Sequence, residues 1–306
     1  MSPTRRAFVA TSASAAAATL LRPAFAFGRQ AQEAQAVFTP IRDNVGYFTM
    51  RGGTIGYLVN ADAVAVVDSQ FPEQATACIA GLNERSGGRA VDCLINTHHH
   101  GDHTGGNLVF RGNAKHVVAH AKAAEHMHNP PGAEPPADQL YPDVTFTESW
   151  STDLGDEKVW ARHYGRAHTS GDIVVTFEQA NVAHMGDLVF HRRHPVVDRA
   201  AGATLRGWMT VLDRTLADHP KDTVYIFGHA AVGLQPVGTW TDLARYHDYI
   251  GAVLTWVGDQ IRAGMSRDDI LAVQAPLAGF EDFGPFGNPG AREIRTCAYE
   301  EITTGT

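Results

Sequence analysis

Histidines that could bind metal are concentrated in one short stretch of the chain. Of 16 histidines, four lie in a hexapeptide that contains the pattern His98-x-His100-x-Asp102-His103. The hexapeptide follows the apolar run 91–96, which predicts a buried strand. Because alternate residues after a strand point the same way, His98 and His100 can reach one ion, while Asp102 and His103 can turn to a second. Imidazole and carboxylate groups suit zinc, and also iron or manganese.

Three further residues of these types stand alone at the exits of other predicted strands. His168 lies in a glycine-bordered turn, Asp187 directly follows a strand, and His229 ends another. Each signal is weak by itself, because a histidine or aspartate at a strand end is usually a turn residue. Together they supply further ligands at strand exits, where α/β and sandwich sheets keep their sites.

This set of motifs resembles the metallo-β-lactamase superfamily of metallohydrolases, from the strand end at Asp68 to the strand end at His229. The resemblance implies an α/β (α+β) fold, a single-domain αββα sandwich of two mixed sheets flanked by helices, over residues 27–306. It also implies two metal-ion sites and one residue outside the ligand set that orients a metal ligand. The roles carried over are a first ion on His98, His100 and His168, a second ion on Asp102, His103 and His229, a bridging Asp187, and Asp68 as the orienting residue.

The chemistry expected of such a site is hydrolysis. Two cations about 3.5–4 Å apart share a water and bring its pKa down to about 7, which gives a bridging hydroxide. Asp102, as ligand and hydrogen-bond acceptor, would orient that nucleophile and is the predicted catalytic residue. We therefore expect a binuclear hydrolase with two zinc ions per chain, or iron or manganese, acting on a small ester, lactone, thioester or amide.

Two other activities of the same fold stay open, as does a role without catalysis. A class B-like β-lactamase is disfavoured, because those enzymes typically carry Cys or Ser where this chain has Asp187. A bridging aspartate instead resembles the thioesterase, lactonase and phosphodiester-cleaving branches. A mononuclear iron oxidoreductase and a metal-binding protein without activity are the remaining alternatives. Metal content would distinguish them from a binuclear hydrolase.

Two segments outside the ligand motifs could contact a substrate. Arg192 and Arg193 form the densest basic patch of an acidic chain, and we expect them to bind an anionic group such as a carboxylate. The partner would thus be a small molecule, possibly anionic. The loop 129–143 holds five prolines, and we expect it to act as a flap over the pocket.

Short strands and helices alternate around these motifs in the pattern of two sheets with helices outside. The residues before position 40 read as a loose lead-in, and the run 144–150 predicts one strand. A helix is expected over residues 72–85, and a long amphipathic helix over 239–263. Cys93 falls in the apolar run 91–96 and is predicted to be a buried strand residue.

Residues 1–26 have the order of an export signal. Arg5 and Arg6 precede an alanine-rich stretch, and Ala24 and Ala26 form a small-x-small cleavage site. The paired arginines resemble a twin-arginine signal, which exports folded proteins. We therefore expect the mature protein to be periplasmic or secreted.

Composition excludes several classes of protein. Of the 306 residues, 44% are hydrophobic and 19% charged, values of a globular chain. A formal charge of -8 argues against binding nucleic acid, because phosphates need clustered Lys and Arg. We also expect no integral membrane segment in the mature chain, because no apolar run reaches about 20 residues.

Overall fold

The computed structural model describes residues 35–286 and 291–305. The predicted signal peptide over residues 1–26 lies outside the described residues and stays a prediction. In the described part of the chain, no helix combines the length and apolar character needed to cross a membrane.

The first half of the described chain forms a seven-stranded mixed sheet. Its strands run β1 to β7 across the sheet in chain order. β1 to β4 pair antiparallel, whereas β4 to β7 pair parallel. The strands are β1 Val37–Arg42, β2 Val45–Thr49, β3 Ile55–Val59, β4 Val64–Val67, β5 Val91–Asn96, β6 Ala114–His120 and β7 Val144–Phe146.

The second half forms a six-stranded sheet and a two-stranded pair. The six strands have the order β15-β13-β11-β10-β9-β8, and β12 pairs with β14. All neighbours in the six-stranded sheet are antiparallel except β11 and β13. The strands are β8 Ser149–Leu154, β9 Glu157–Arg162, β10 Val174–Phe177, β11 Val182–His184, β12 Phe190–His191, β13 Val224–Ile226, β14 His229–Ala230 and β15 Val237–Gly238.

Helices cover the outer faces of both sheets. The first ones connect the parallel strands of the larger sheet, and the last four follow the Asp187 region. They are α1 Pro72–Ser86, α2 Gly101–Thr104, α3 Ala121–His128, α4 Leu205–Asp218, α5 Trp240–Arg262, α6 Arg267–Ala272 and α7 Ala291–Thr304.

Three apolar clusters separate four layers. Ala65 and Val67 of β4 face the second sheet and pack in a cluster that also holds Phe177 of β10. Val64 and Val66 of the same strand face the opposite way and pack in a cluster with residues of α1. A third cluster joins the second sheet to α4, α5 and α7. Successive strand residues thus bury opposite faces, which a sheet covered on both sides requires. The αββα sandwich predicted from the sequence is confirmed.

Two expectations for strands are corrected by the structure. The predicted strand 144–150 is two strands in different sheets, because the chain leaves β7 after Phe146 and enters β8 at Ser149. The predicted lead-in 27–40 includes the start of a strand, because β1 begins at Val37. Pro40 fits in β1 because this strand lies at the edge of the sheet, where a missing backbone N–H is tolerated.

All three cysteines are free and buried in the described part of the chain. Cys93 lies on β5, as predicted from its apolar run. Burial raises the pKa of the Cys93 thiol to about 11 and of the Cys297 thiol to about 12, and it raises that of Cys78 further.

Candidate metal centre

The seven predicted ligands converge at one edge of the sandwich. His98 and His100 lie after β5, and Asp102 and His103 lie in α2. His168 comes from the loop between β9 and β10, Asp187 from the turn after β11, and His229 from the start of β14. Since strand ends of both sheets meet at this edge, four separate stretches of sequence contribute to one site.

The first group of potential ligands contains His98, His100, His168 and Asp187. One ligand atom from each of these residues lies within 4.8 Å of the others. The Nε2 atom of His168 is 2.9 Å from Nδ1 of His100. His98 Nε2 is 3.9 Å from Asp187 Oδ2. Because the side chains of His98 and His168 are buried, their ring nitrogens face the other ligand atoms of this group and not solvent.

The second group contains Asp102, His103 and His229, again with ligand atoms within 4.8 Å of one another. His229 Nε2 lies 3.1 Å from Asp102 Oδ2 and 3.4 Å from His103 Nε2. Asp102 is the most open of the three, with 31% of its side chain exposed. Of the three ligand candidates, Asp102 is therefore the one that solvent reaches most readily.

Asp187 lies between the two groups and presents one oxygen to each. Its Oδ1 atom is 3.1 Å from His103 Nε2 and 3.3 Å from His229 Nε2. Its Oδ2 atom is 3.6 Å from His168 Nε2 and 3.9 Å from His98 Nε2. This is the geometry that a carboxylate needs in order to bridge two ions.

Close backbone approach at the centre requires glycine at two positions. A Cβ atom on Gly228 would lie 2.0 Å from Asp187 Oδ1, and one on Gly53 would lie 2.1 Å from the His103 ring. Both distances are far inside van der Waals contact. Any larger residue would displace the carboxylate or the imidazole.

Three of the histidines contact a neighbouring residue through the ring nitrogen that points away from the centre. His103 Nδ1 is 2.7 Å from Asp68 Oδ2, and His168 Nδ1 is 2.9 Å from the carbonyl oxygen of Val196. His98 Nδ1 is 3.0 Å from the Thr97 hydroxyl. Such contacts fix the tautomer, so that the other nitrogen of each ring faces the centre.

Asp68 is held in one orientation by several contacts. It has a φ of 65°, in the left-handed region that a non-glycine residue rarely adopts. Its carboxylate accepts hydrogen bonds from the Thr97 backbone N–H and hydroxyl, both at 2.7 Å, besides its contact with His103. The strained backbone and the fixed carboxylate occur together at the site, which is typical of functional positions.

The electrostatics of the cluster fit a bound cation. Burial lowers the pKa of His98 well below its usual value. Burial would also lower the pKa of His229, but the carboxylates of Asp187 and Asp102 raise it to about 9. For Asp102, burial would raise the pKa, but His103 and His229 lower it to about 2. Without metal, protons on the histidines thus compensate buried carboxylates, a role that metal ions would take over.

One buried atom is direct support for metal at this position. His98 Nε2 is buried and has no hydrogen-bond partner among the residues that the structure describes. An unpaired buried imidazole nitrogen is costly, and a metal ion would satisfy it. The cluster of histidines and aspartates is therefore a metal-binding site by its donor set, while the roles assigned to single ligands stay a prediction.

The two arginines predicted to bind an anion have partners within the protein. Arg192 lies 3.2 Å from Asp242 and 3.3 Å from Asp282. Arg193 donates to the carbonyl oxygens of Ala230 and Pro285, each at 2.8 Å. Arg192 thus pairs with α5 and with Asp282, and Arg193 contacts the residue after His229, so that anion binding by either arginine stays a prediction.

The proline-rich loop 129–143 lies beside His99 and His126. Together with these residues it lines a cavity of about 300 Å³. His100 also lines this cavity, which places the loop next to the metal centre. The expectation that it acts as a flap stays a prediction.

Sequence reasoning missed two aspartates that contact a candidate ligand or the turn that carries one. Asp198 Oδ2 lies 2.9 Å from His100 Nε2. Asp172 accepts hydrogen bonds from the Thr169 N–H and hydroxyl, both at 2.7 Å, and so closes the turn that carries His168. Asp172 carried a weak signal, because it ends the glycine-bordered turn. Asp198 lies in an irregular loop without a motif.

Known proteins match both the sequence and the fold. The sequence model of the metallo-beta-lactamase superfamily matches residues 49–229, which is more than half of the chain. The metallo-beta-lactamase type 2 of Bacillus cereus is 25% identical over 196 residues, 63% of this chain and 73% of that protein. A second such enzyme, from Bacillus sp. (strain 170), matches with the same identity and coverage.

Solved structures share the architecture at lower identity. A metallo-beta-lactamase from Pontibacter korlensis has a TM-score of 0.58 and 20% identity, and the match covers 71% of this chain and 99% of that one. A stereoselective inverting sec-alkylsulfatase from Pseudomonas sp. has a TM-score of 0.69 and 14% identity, with 88% of this chain and 50% of that one covered. At these identities the likeness concerns the fold.

Proposed function

Because the chain belongs to the metallo-beta-lactamase superfamily, we propose that it is a binuclear zinc hydrolase acting on a small ester, lactone, thioester or amide. The observation that carries the proposal is the position of Asp187. Its two oxygens face separate ligand groups, at 3.1 and 3.3 Å on one side and at 3.6 and 3.9 Å on the other. A single-ion site would not need a carboxylate shared in this way.

The residues of the site divide the work of hydrolysis between them. When bound, the ions lower the pKa of a coordinated water and polarise the scissile bond. Asp102, the most exposed residue of the second group, would bind an ion through Oδ2 and accept a hydrogen bond that orients the attacking water. Because the pKa of Asp102 is about 2, its carboxylate is ionised and able to accept at neutral pH. Asp68 holds the His103 ring in place behind the site.

Alternative activities of the same fold are separated by metal and by substrate. The relatives from Bacillus are metallo-beta-lactamases, and one fold neighbour is an alkylsulfatase. Asp187 in place of Cys or Ser speaks against a dedicated β-lactamase. A mononuclear iron oxidoreductase would not use two ligand groups.

The test is metal analysis followed by a substrate panel. We expect two zinc ions per chain and hydrolysis of one or more nitrophenyl esters, lactones, thioesters or amides, with a chromogenic cephalosporin and a secondary alkyl sulfate as comparisons. A chelator should abolish activity, and zinc should restore it. His168→Ala should lose the activity, whereas His247→Ala, which removes a histidine paired with Asp213 outside the cluster, should keep it. One iron per chain or no bound metal would contradict the proposal.

The proposal includes export of the enzyme. It is supported by the paired Arg5 and Arg6 and by the cleavage pattern that ends at Ala26. We expect a mature chain that begins near residue 27 in the periplasm or the medium. Replacement of both arginines by lysine should retain the uncleaved protein in the cell, and an unchanged distribution would contradict twin-arginine export.

A further inference from the structure

His100 is held between the metal centre and a carboxylate behind it. Its Nδ1 atom faces the first ligand group, 2.9 Å from His168 Nε2. Its Nε2 atom lies 2.9 Å from Asp198 Oδ2 on the opposite edge of the ring. Because a carboxylate accepts a hydrogen bond, this contact places the ring proton on Nε2 and leaves the Nδ1 lone pair toward the ion.

Asp198 is itself held in a defined position. Its Oδ1 atom accepts a hydrogen bond from the Ala201 backbone N–H at 3.0 Å. Its own N–H donates to the carbonyl oxygen of His168 at 3.3 Å. About a fifth of its side chain is exposed, 21%, so the contact with His100 is partly shielded from water. The carboxylate therefore has one oxygen free to act on His100.

The same segment of chain supports a second predicted ligand. Val196, two residues before Asp198, accepts a hydrogen bond from His168 Nδ1 at 2.9 Å. Val197 between them donates its N–H to Glu293 of α7 at 2.9 Å. Residues 196–198 thus hold two histidines of the first group from behind and are anchored to the C-terminal helix.

Another histidine competes weakly for the same carboxylate. His99 Nε2 lies 3.8 Å from Asp198 Oδ2, which is too long for a hydrogen bond, whereas His100 Nε2 is at 2.9 Å. The ring of His99 also packs on that of His126, with centroids 4.8 Å apart. The hydrogen-bond partner of Asp198 Oδ2 is therefore His100 and not His99.

We propose that Asp198 is a positioning residue for the first metal ion and acts through His100. This inference rests on the proposed function, because it assumes that His100 is a ligand. Asp198 would then stand behind a ligand of the first ion as Asp68 stands behind His103, a ligand of the second ion. In that second pair, Asp68 Oδ2 lies 2.7 Å from His103 Nδ1. Each ion site would then have its own carboxylate behind one of its histidines.

The test measures metal affinity at each site. Zinc affinities of the wild type, Asp198→Ala and Asp198→Asn are determined by competition with a chromogenic chelator, and visible spectra are recorded after cobalt substitution. Asp198→Ala should weaken one of two zinc sites by about 10–100-fold and leave the other unchanged. Asp198→Asn keeps an acceptor for the Nε2 proton and should lose less. The control is Asp213→Ala, which removes a His–Asp pair with His247 at 3.3 Å outside the metal centre, and it should bind zinc as the wild type does.

A double mutant separates positioning from a structural role. If Asp198 acts through His100, the change Asp198→Ala should weaken zinc binding no further in a protein that already carries His100→Ala. A further loss in that background would overturn the inference, as would wild-type zinc affinity at both sites in folded Asp198→Ala. If Asp198→Ala does not fold, the same comparison is made with Asp198→Asn, and either no loss of zinc affinity or a loss that is equally large in the His100→Ala background overturns the inference. Failure of the wild type to bind zinc would instead overturn the proposed function, and this inference with it.

Discussion

At the scale of single residues, Asp187 joins the two halves of the metal centre. Loss of an outer partner of a ligand costs about 10–100-fold in metal affinity or activity, so loss of a shared ligand should cost more. We expect Asp187→Asn to hold at most one zinc ion per chain and to lose more than about 100-fold in activity. Elemental analysis and initial rates measure this. Asp213→Asn, an exposed aspartate on α4, is the control. Two zinc ions bound to Asp187→Asn with wild-type affinity would contradict a bridging role.

His229 makes metal binding depend on pH above the range usual for histidine. Its pKa in the metal-free protein is raised to about 9, so it carries a proton at pH 7 that must leave before it can bind a metal ion. The apparent zinc affinity should therefore rise from pH 7 toward pH 9, rather than level off above pH 6.5. Chelator competition across this range measures the slope. A constant affinity between pH 7.5 and 9 would show that no proton is released there.

The convergence of the candidate ligands was predictable from the sequence, whereas the residues that contact them from outside the cluster were only partly so. His98, His100, Asp102 and His103 occupy neighbouring positions, and their relation depends only on local backbone geometry. Asp68 could be found because it ends a strand. Asp198 could not, because its contact with His100 crosses 98 positions in the chain and depends on how an irregular loop packs.

At the scale of elements, α7 stabilises two other segments in the second half of the structure. Besides the contact of Glu293 with residues 196–198, Glu301 accepts hydrogen bonds from the backbone N–H groups of Leu205 and Arg206. These N–H groups begin α4 and have no helical partner of their own. A buried carboxylate from one helix thus stabilises the start of another.

We expect Glu301→Ala to lower the free energy of unfolding by about 1–3 kcal/mol, because it leaves buried N–H donors without an acceptor. The neighbouring Glu300 is 40% exposed, and Glu300→Ala should change stability by less than about 0.5 kcal/mol. Denaturant unfolding of the two variants measures the difference. Equal effects of the two substitutions would show that the contacts at the start of α4 contribute nothing to stability.

Elements with a regular apolar pattern were predicted well, and those without one were not. The helix at Pro72–Ser86 begins at proline and ends before glycine, and β5 Val91–Asn96 is a continuous apolar run, so both were readable. The strand Val37–Arg42 was missed because Pro40 and polar residues hide its alternation. The split of 144–150 into two strands could not be read, because the crossing between sheets has no glycine or proline at Thr147 and Glu148.

At the scale of the whole molecule, the sheets hold ligands from distant parts of the chain, so metal binding and folding should be coupled. The unfolded chain cannot bring His98 and His229 together, so metal ions bind the folded state preferentially. Free zinc at about 100 times the dissociation constant would add about 2.7 kcal/mol to the free energy of unfolding. We expect the midpoint of thermal unfolding to rise by several degrees with zinc and to fall with a chelator. Calorimetry with and without zinc measures this. A midpoint that does not depend on metal would contradict binding at a site shared by both sheets.

The layered architecture was the most predictable feature at this scale. Continuous apolar runs on the parallel strands, such as β4, and helices between them imply two sheets covered on both sides.

The reactivity of the three buried thiols should report on local unfolding of the protein. Cys78 lies on α1, Cys93 on β5 and Cys297 on α7, so together they sample both outer layers and one sheet. Since the thiolate is the reactive form, burial and raised pKa values keep all three inert while the fold is closed. The alkylation rate of each thiol would then measure how often the layer that contains it opens, without any introduced label.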